Sequence, residues 1–456
     1  MEQPVDFARR ERPRFYRELD GFLRIPSVSA NSKHDGDTRR AAEWVRDQLQ
    51  RAGLVVEIFP TPGHPVVVGE WRGAGPKAPT VLVYGHYDVQ PPEPLELWET
   101  PPFEPSLRDG RIYARGAADD KGQLFLHLKA LEAHLAIRGR LPVNVVVLAE
   151  GEEEVGSPNL VPFVKEHRDR LAAETVVISD SSMFAPGLPS LLFSLRGLAY
   201  FEIHATGPST DLHSGAYGGA VPNPANALVR LVASLHDEGG RIAVNGFYDD
   251  VAVPPEETLA GIRALPFDAE EYAEEVGTTA SGGEDGYTPL ERLWTRPSCD
   301  VNGILSGYTG EGAKTVLPAS AMAKVSMRLV PDQSPDRVAA LLREHIDANG
   351  HDGVDFELVE LHGGRPWLAP VDGPHFEAAA SALERSFGVA PVLTGEGGSI
   401  PIVMEFEEIL GANPLLIGFA LPGANMHAPN EWFATECFEK GIETLIHLYD
   451  ELASGQ

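Results

Sequence analysis

The feature that most constrains the fold of this chain is a series of short apolar runs that end at an acid or a histidine. Thr80-Val81-Leu82-Val83-Tyr84-Gly85 leads into His86 and Asp88. Val143 to Ala149 leads to Glu152, Glu153 and Glu154. Thr175-Val176-Val177-Ile178-Ser179 closes on Asp180, and Pro414 to Phe419 precedes His427. Helical spacing separates these runs, at about 39–53 and again at 121–137, where Leu124, Leu128 and Leu131 share a face. Strands alternating with helices predict an α/β layer with a largely parallel sheet. In open α/β sheets, ligands gather outside the carboxyl ends of the strands. The acids and histidines fall there.

The texture changes near Leu191. Residues 191–206 alternate apolar and polar positions, a helix is expected at 223–237, and alternating strands at 324–330 and 354–361 flank a helix at 335–348. That order suits a small α+β domain with helices on one face of an antiparallel sheet. The stretch 250–297 is acidic and rich in Gly and Pro, with short helices and little core. From about 366 the α/β pattern returns, with helices at 375–387, 400–409 and 431–452 and strands at 391–394 and 414–420. The expected organisation is one α/β domain over 1–197 and 366–456, interrupted by an inserted α+β domain over 198–365. A length of 456 residues suits two or three domains.

A net charge of −30 disfavours nucleic acid and anionic membranes as partners. The two cysteines, Cys299 and Cys437, form no CxxC pattern, which excludes a disulfide framework or a Cys-rich zinc site. The N-terminus has no apolar stretch resembling a signal peptide, and no run approaches the ~18 apolar residues that span a bilayer. A soluble, cytoplasmic protein is expected.

A strand-end histidine is usually a satisfied structural group, and an acidic run is usually a solvated loop. Repetition of the pattern at three strand ends argues instead for cation ligands. His86 and Asp88 are two apart, so in an extended strand they face the same way. A carboxylate there can fix the tautomer of a ligating histidine. Asp119 and Asp120 open a helix; Asp120 suits an N-cap, whereas Asp119, after Gly116, is placed to bridge two cations. The set reads as a two-metal hydrolytic site.

Three stretches carry a family resemblance: Tyr84 to Pro91, Arg115 to Gly122, and Glu150 to Ser157. In order and spacing they resemble the M20 metallopeptidases, most closely the cytosolic non-specific dipeptidase (carnosinase-like) branch. The resemblance implies a zinc-peptidase-like catalytic domain with a mixed, largely parallel sheet, interrupted by a ferredoxin-like lid and dimerisation domain. It implies two divalent ions held by His86, Asp119, Glu154, Asp180 and His427, with Asp119 bridging. Zinc is the expected metal for such mixed ligands and manganese the alternative. Glu153 matches the general base and Asp88 the residue that orients His86. Glu152 is an additional acid, and anchoring on Gly156-Ser157 places the base–ligand pair at 153–154. Asp at position 180 resembles aminopeptidase and dipeptidase members rather than carboxypeptidases.

In the inserted domain, His213 within Asp211 to Gly219 matches a histidine that stabilises the oxyanion in the partner subunit's active site, implying a homodimer. Arg328 matches the residue that binds the substrate carboxylate. Gly398 and Ser399 are implied to hold that carboxylate through backbone N–H groups, and Asn245 and Thr315 are lesser candidates for substrate contacts. The implied reaction is hydrolysis of dipeptides or short peptides with a free C-terminal carboxylate. The alternative is an N-acyl amino acid amidohydrolase or deacylase of the same family.

Overall fold

The computed structural model describes residues 2–398 and 400–454, with the side chains of Glu275 and Pro401 left out. The chain forms two compact units. The first runs from the N-terminal region to Phe193, resumes over Ala369–Leu393, and continues from Ile402. The second comprises Ser194–Leu368 and Thr394–Pro401.

The first unit is built on a six-stranded sheet. Its order is Val55–Phe59, Val66–Trp71, Asn144–Glu150, Thr80–His86, Thr175–Ile178 and Asn413–Leu416. The first two pairings are antiparallel and the other three parallel, so the sheet is mixed. Every residue of Thr80–His86, Asn144–Glu150 and Thr175–Ile178 is buried. Strands covered on both faces read as unbroken apolar runs, which is why these three segments show no alternation. Parallel register places His86 beside Glu150 and Tyr84 beside Ile178, so the carboxyl ends of the three strands lie along one edge.

Helix Lys121–Arg138 covers this sheet and is buried continuously from Lys121 to Leu131. It packs against helices Pro4–Leu23, Asp35–Ala52 and Thr435–Ser454. A helix with neighbours on all sides carries apolar residues on all sides. Asp35–Ala52 stops at Gly53, whose positive φ of 107° lets its N–H reach the Leu49 and Gln50 carbonyls.

The second unit has a four-stranded antiparallel sheet, ordered Ser298–Ser306, Ser320–Leu329, Gly197–Thr206 and Asp355–Gly364. With helices Pro224–Ala233 and Pro335–Asn349, the main elements run strand, helix, strand, strand, helix, strand, the ferredoxin-like order. Burial alternates strictly along Ser320–Leu329 and through most of Gly197–Thr206. The inward residues, among them Phe201, Ile203, Val325 and Met327, form one core with Leu228, Leu231, Val338 and Leu342 of the helices. The segment 250–297 holds three short helices, Glu256–Arg263, Ala269–Val276 and Pro289–Thr295. Among the described residues, no helix is long and apolar enough to cross a membrane.

Candidate metal centre

The sheet edge of the first unit delivers its side chains from five segments. His86 is the last residue of its strand, and Asp180 lies two residues beyond Ile178. Glu153 and Glu154 sit in a single helical turn after Asn144–Glu150. Asp119 immediately precedes the N-cap residue of helix Lys121–Arg138. His427 comes from the loop after Asn413–Leu416 and holds a left-handed backbone, φ 60°. A non-glycine residue in that region is uncommon and concentrates at functional sites.

These residues form two triads that share Asp119. His86, Asp119 and Asp180 make one, and Asp119, Glu154 and His427 the other; within each, the candidate ligand atoms lie within 4.8 Å of one another. Asp119 Oδ1 is 3.1 Å from His86 Nε2, while Oδ2 is 2.8 Å from His427 Nε2. His86 Nε2 also lies 3.9 Å from Asp180 Oδ2, and His427 Nε2 lies 3.3 Å from Glu154 Oε2. Ligands about 2.0–2.2 Å from a tetrahedral zinc stand roughly 3.3 Å apart, so these separations fit a cation in each triad. His86 Nε2 carries a second mark of fit. It is buried without a regular hydrogen bond, although Asp119 Oδ1 lies 3.1 Å away. A buried ring nitrogen without a partner is costly in a closed protein and normal at a metal site.

Electrostatics point the same way. Burial and the Asp119 carboxylate push Asp180 up to about 7. Glu153 is raised to about 8 by burial and by the charges of Asp180, Glu154 and Asp119, against the pull of His86. His427 is raised to about 10 by Asp119 and Glu154. Burial opposes a charge on His86, yet Asp119 and Asp88 hold its ring well above its ordinary value. Asp119 pays a burial penalty too, but the two histidines keep it below the usual carboxylate range. The candidate ligands are thus three carboxylates and two imidazoles, and without cations the two imidazoles and Asp180 hold protons more tightly than usual. Divalent ions replace those protons.

Supporting contacts differ in part from expectation. Asp88, expected to orient His86, makes further contacts. Its Oδ1 and Oδ2 accept from the main-chain N–H groups of Glu153 and Glu154, at 3.3 and 3.2 Å. His86 Nδ1 lies 3.1 Å from the Asp88 carbonyl oxygen and 3.4 Å from Oδ1. Asp120 is not a side-chain N-cap. Its Oδ2 instead accepts from the His86 N–H at 3.1 Å, because the strand end leaves that donor pointing at the helix. Glu152 turns to Asn159 Nδ2, at 2.8 Å. Gln90, which nothing in the local pattern singled out, binds Glu154 through its N–H at 3.1 Å and its amide at 2.8 Å.

Known proteins share this architecture. The model of peptidase family M20/M25/M40 matches residues 82–451. The chain belongs to this family. As its motifs implied, it is an M20 peptidase, and the family implies divalent metal binding. It is 33% identical to the Cys-Gly metallodipeptidase dug1 of Schizosaccharomyces pombe, over 98% of this chain and 97% of that protein. It is 31% identical to the human Beta-Ala-His dipeptidase, over 97% of this chain and 86% of that protein. Among solved structures, an M20 family metallo-carboxypeptidase from Sulfolobus solfataricus superposes with a TM-score of 0.83 at 33% identity, covering 96% of this chain and 99% of that one.

The remaining candidates of this M20 peptidase belong to the second unit. His213 is exposed and sits in a two-residue strand paired with Val316–Leu317. Its Nδ1 accepts from the Gly215 N–H at 3.0 Å, which leaves Nε2 to carry the ring proton. The Ser214 N–H donates to the Thr315 carbonyl at 3.1 Å, so His213 and Thr315 are brought together. Arg328 lies half-buried on the sheet face opposite the core residues Val325 and Met327. Asn245 is exposed in a turn. The N–H groups of the 397–398 loop are not free as expected. The Glu396 carboxylate accepts from Gly397 N–H at 3.2 Å and also from Gly398. Ser399 lies outside the described residues.

Proposed function

We propose that this peptidase is a two-metal dipeptidase, acting on dipeptides and short peptides that end in a free carboxylate. The observation that carries the proposal is Asp119 giving one oxygen to each of two ligand triads, with Glu153 beside them. His86 and Asp180 would hold one divalent ion, Glu154 and His427 the other. Divalent ions held by these residues would supply Lewis acidity, making a bound water more acidic and polarising the scissile carbonyl. Glu153 is the general base: it takes the proton of the attacking water and delivers it to the leaving amine. Burial and the neighbouring carboxylates raise its carboxyl to about 8 without cations, which favours the protonated form, and neighbouring cations favour the ionised form. Asp88 holds the Glu153 main chain, fixing where that proton is received.

Substrate orientation is assigned to the second unit, acting as lid and dimerisation domain. Arg328 pairs with the terminal carboxylate through its planar fork, aided by Thr315, Gly398 and Ser399. Glu396 occupies loop N–H groups here, so binding through them requires its side chain to move. His213, from the partner subunit of a homodimer, donates its Nε2–H to the developing oxyanion. The named activities of the relatives, Cys-Gly and β-Ala-His dipeptide cleavage and carboxypeptidase action, share release of a residue bearing a free carboxylate. Glu153→Ala tests the central role. It should retain fold and metal while losing roughly 100- to 10,000-fold in turnover; near-normal turnover would contradict the assignment.

A further inference from the structure

Three interior groups near the ligand cluster have no part in the chemistry above. Lys121 gives its ammonium to the carbonyls of Ile25 at 2.6 Å and Phe22 at 3.4 Å, and so anchors the end of the first helix. His127 is closed between Ser179 Oγ at 2.9 Å and Tyr449 OH at 3.1 Å. Glu431 differs from both, because every donor to its carboxylate comes from the segment that carries Asp119.

Glu431 is completely buried. Its Oε1 accepts from the N–H groups of Ala118 at 2.8 Å and Asp119 at 3.1 Å. Its Oε2 accepts from the Gly116 N–H at 3.0 Å and from Arg115 Nη1 at 2.7 Å. Its own carbonyl takes the Ala114 N–H at 3.1 Å. One residue thus holds the main chain from Ala114 to Asp119, and it stands four positions after His427. Arg115 reaches on to the Pro91 carbonyl at 3.3 Å, next to the Gln90 that grips Glu154. Asp119, His427 and Glu154, the three ligands of one triad, are therefore tied through a single buried carboxylate.

We propose that Glu431 is a positioning residue for both cation sites. It sets the Asp119 main chain so that one carboxylate oxygen faces each triad, and it links that placement to the His427 loop. This rests on the two-cation reading of the centre. A bridging ligand tolerates little rotation, since turning Asp119 toward one triad withdraws it from the other. A glutamine has the same shape but one acceptor oxygen and one NH2 donor. Whichever way it turns at 431, its NH2 faces two donors, so half of the cradle is lost.

The test uses zinc alone as probe, with affinity and stoichiometry as readouts. Metal-free wild type and E431Q are titrated with zinc against a competing chelator, well below the melting temperature of each metal-free protein. Wild type should bind two zinc ions per subunit. E431Q, folded, should bind zinc roughly 10- to 100-fold more weakly at both sites, the range set by partners that orient ligands. E291Q, at an equally buried glutamate in the second unit that pairs with Arg263, should leave zinc affinity unchanged and controls for loss of a buried charge. If E431Q does not fold, E431D, with its carboxylate one methylene short, should show the same weakening. Wild-type affinity and two ions in a folded E431Q would overturn the proposal. Failure of both variants to fold would also overturn it, assigning Glu431 to fold stability alone. Wild type that binds fewer than two ions would instead refute the two-cation reading.

Discussion

Glu152, Glu153 and Glu154 are three identical side chains with three different surroundings. Glu152 bonds Asn159, Glu154 is gripped by Gln90 and faces His427, and Glu153 is left half-buried with a raised pKa. Environment alone separates a bystander, a proposed ligand and a proposed base. The histidines lead to a prediction. In the metal-free protein His427 titrates at about 10 and His86 is also held high, so both rings are protonated at neutral pH. Ligation requires neutral imidazole, so cations displace those protons and affinity rises with pH. Adding zinc to metal-free protein at pH 7 should release about two protons per subunit from these rings, read with an indicator dye in weak buffer. No proton release, or zinc affinity indifferent to pH between 6 and 8, would contradict this. Most of the candidate ligands were legible because they follow apolar runs, and Asp119 because it opens a helix just after Gly116. Their partners were not, since Asp120 meets His86 across 34 residues and Glu431 meets Asp119 across 312. No local pattern signals such contacts.

At the scale of elements, burial decides what a sequence reveals. Strands covered on both faces left continuous apolar runs, and the alternating strands of the second unit left period two. Ser298–Ser306 was missed because it is a largely exposed edge strand with an irregularity between Val301 and Gly303. Pro4–Leu23 was missed although Phe15, Leu19 and Phe22 form a buried face, because Pro13 inside it reads as a breaker. The parallel arrangement also makes a local demand. Gly418 follows Asn413–Leu416, and a Cβ there would collide with the Ser181 main chain, next to Asp180. Neither backbone can yield without shifting that ligand. Gly418→Ala should therefore cost on the order of 1–3 kcal/mol or more and weaken metal binding, measured by thermal unfolding with and without zinc. An unchanged melting temperature would show that the strands separate freely.

For the whole molecule, the first unit breaks off at Phe193 and resumes over Ala369–Leu393, and each part carries its own strand–helix texture. The subunit arrangement is a separate matter that patterning does not encode. If His213 acts across a homodimer, an inactive Glu153→Ala subunit and an inactive His213→Ala subunit complement each other, since one active site in a mixed dimer keeps both groups. Co-refolding the two variants should restore activity to roughly a quarter of wild type, from random pairing into symmetric dimers. No recovery in verified mixed dimers would contradict action in trans. Arg328→Met tests the carboxylate contact: KM for dipeptides should rise roughly tenfold or more, the scale of a charge-assisted pair, and a change in kcat alone would argue against it. The most direct test of the whole account is hydrolysis of a dipeptide panel, with N-acyl amino acids alongside, by metal-free protein titrated with zinc or manganese. The account predicts no hydrolysis without metal and dipeptide cleavage that rises to its maximum as two ions per subunit bind. Hydrolysis that survives metal removal, or a two-metal protein that cleaves no dipeptide, would contradict it.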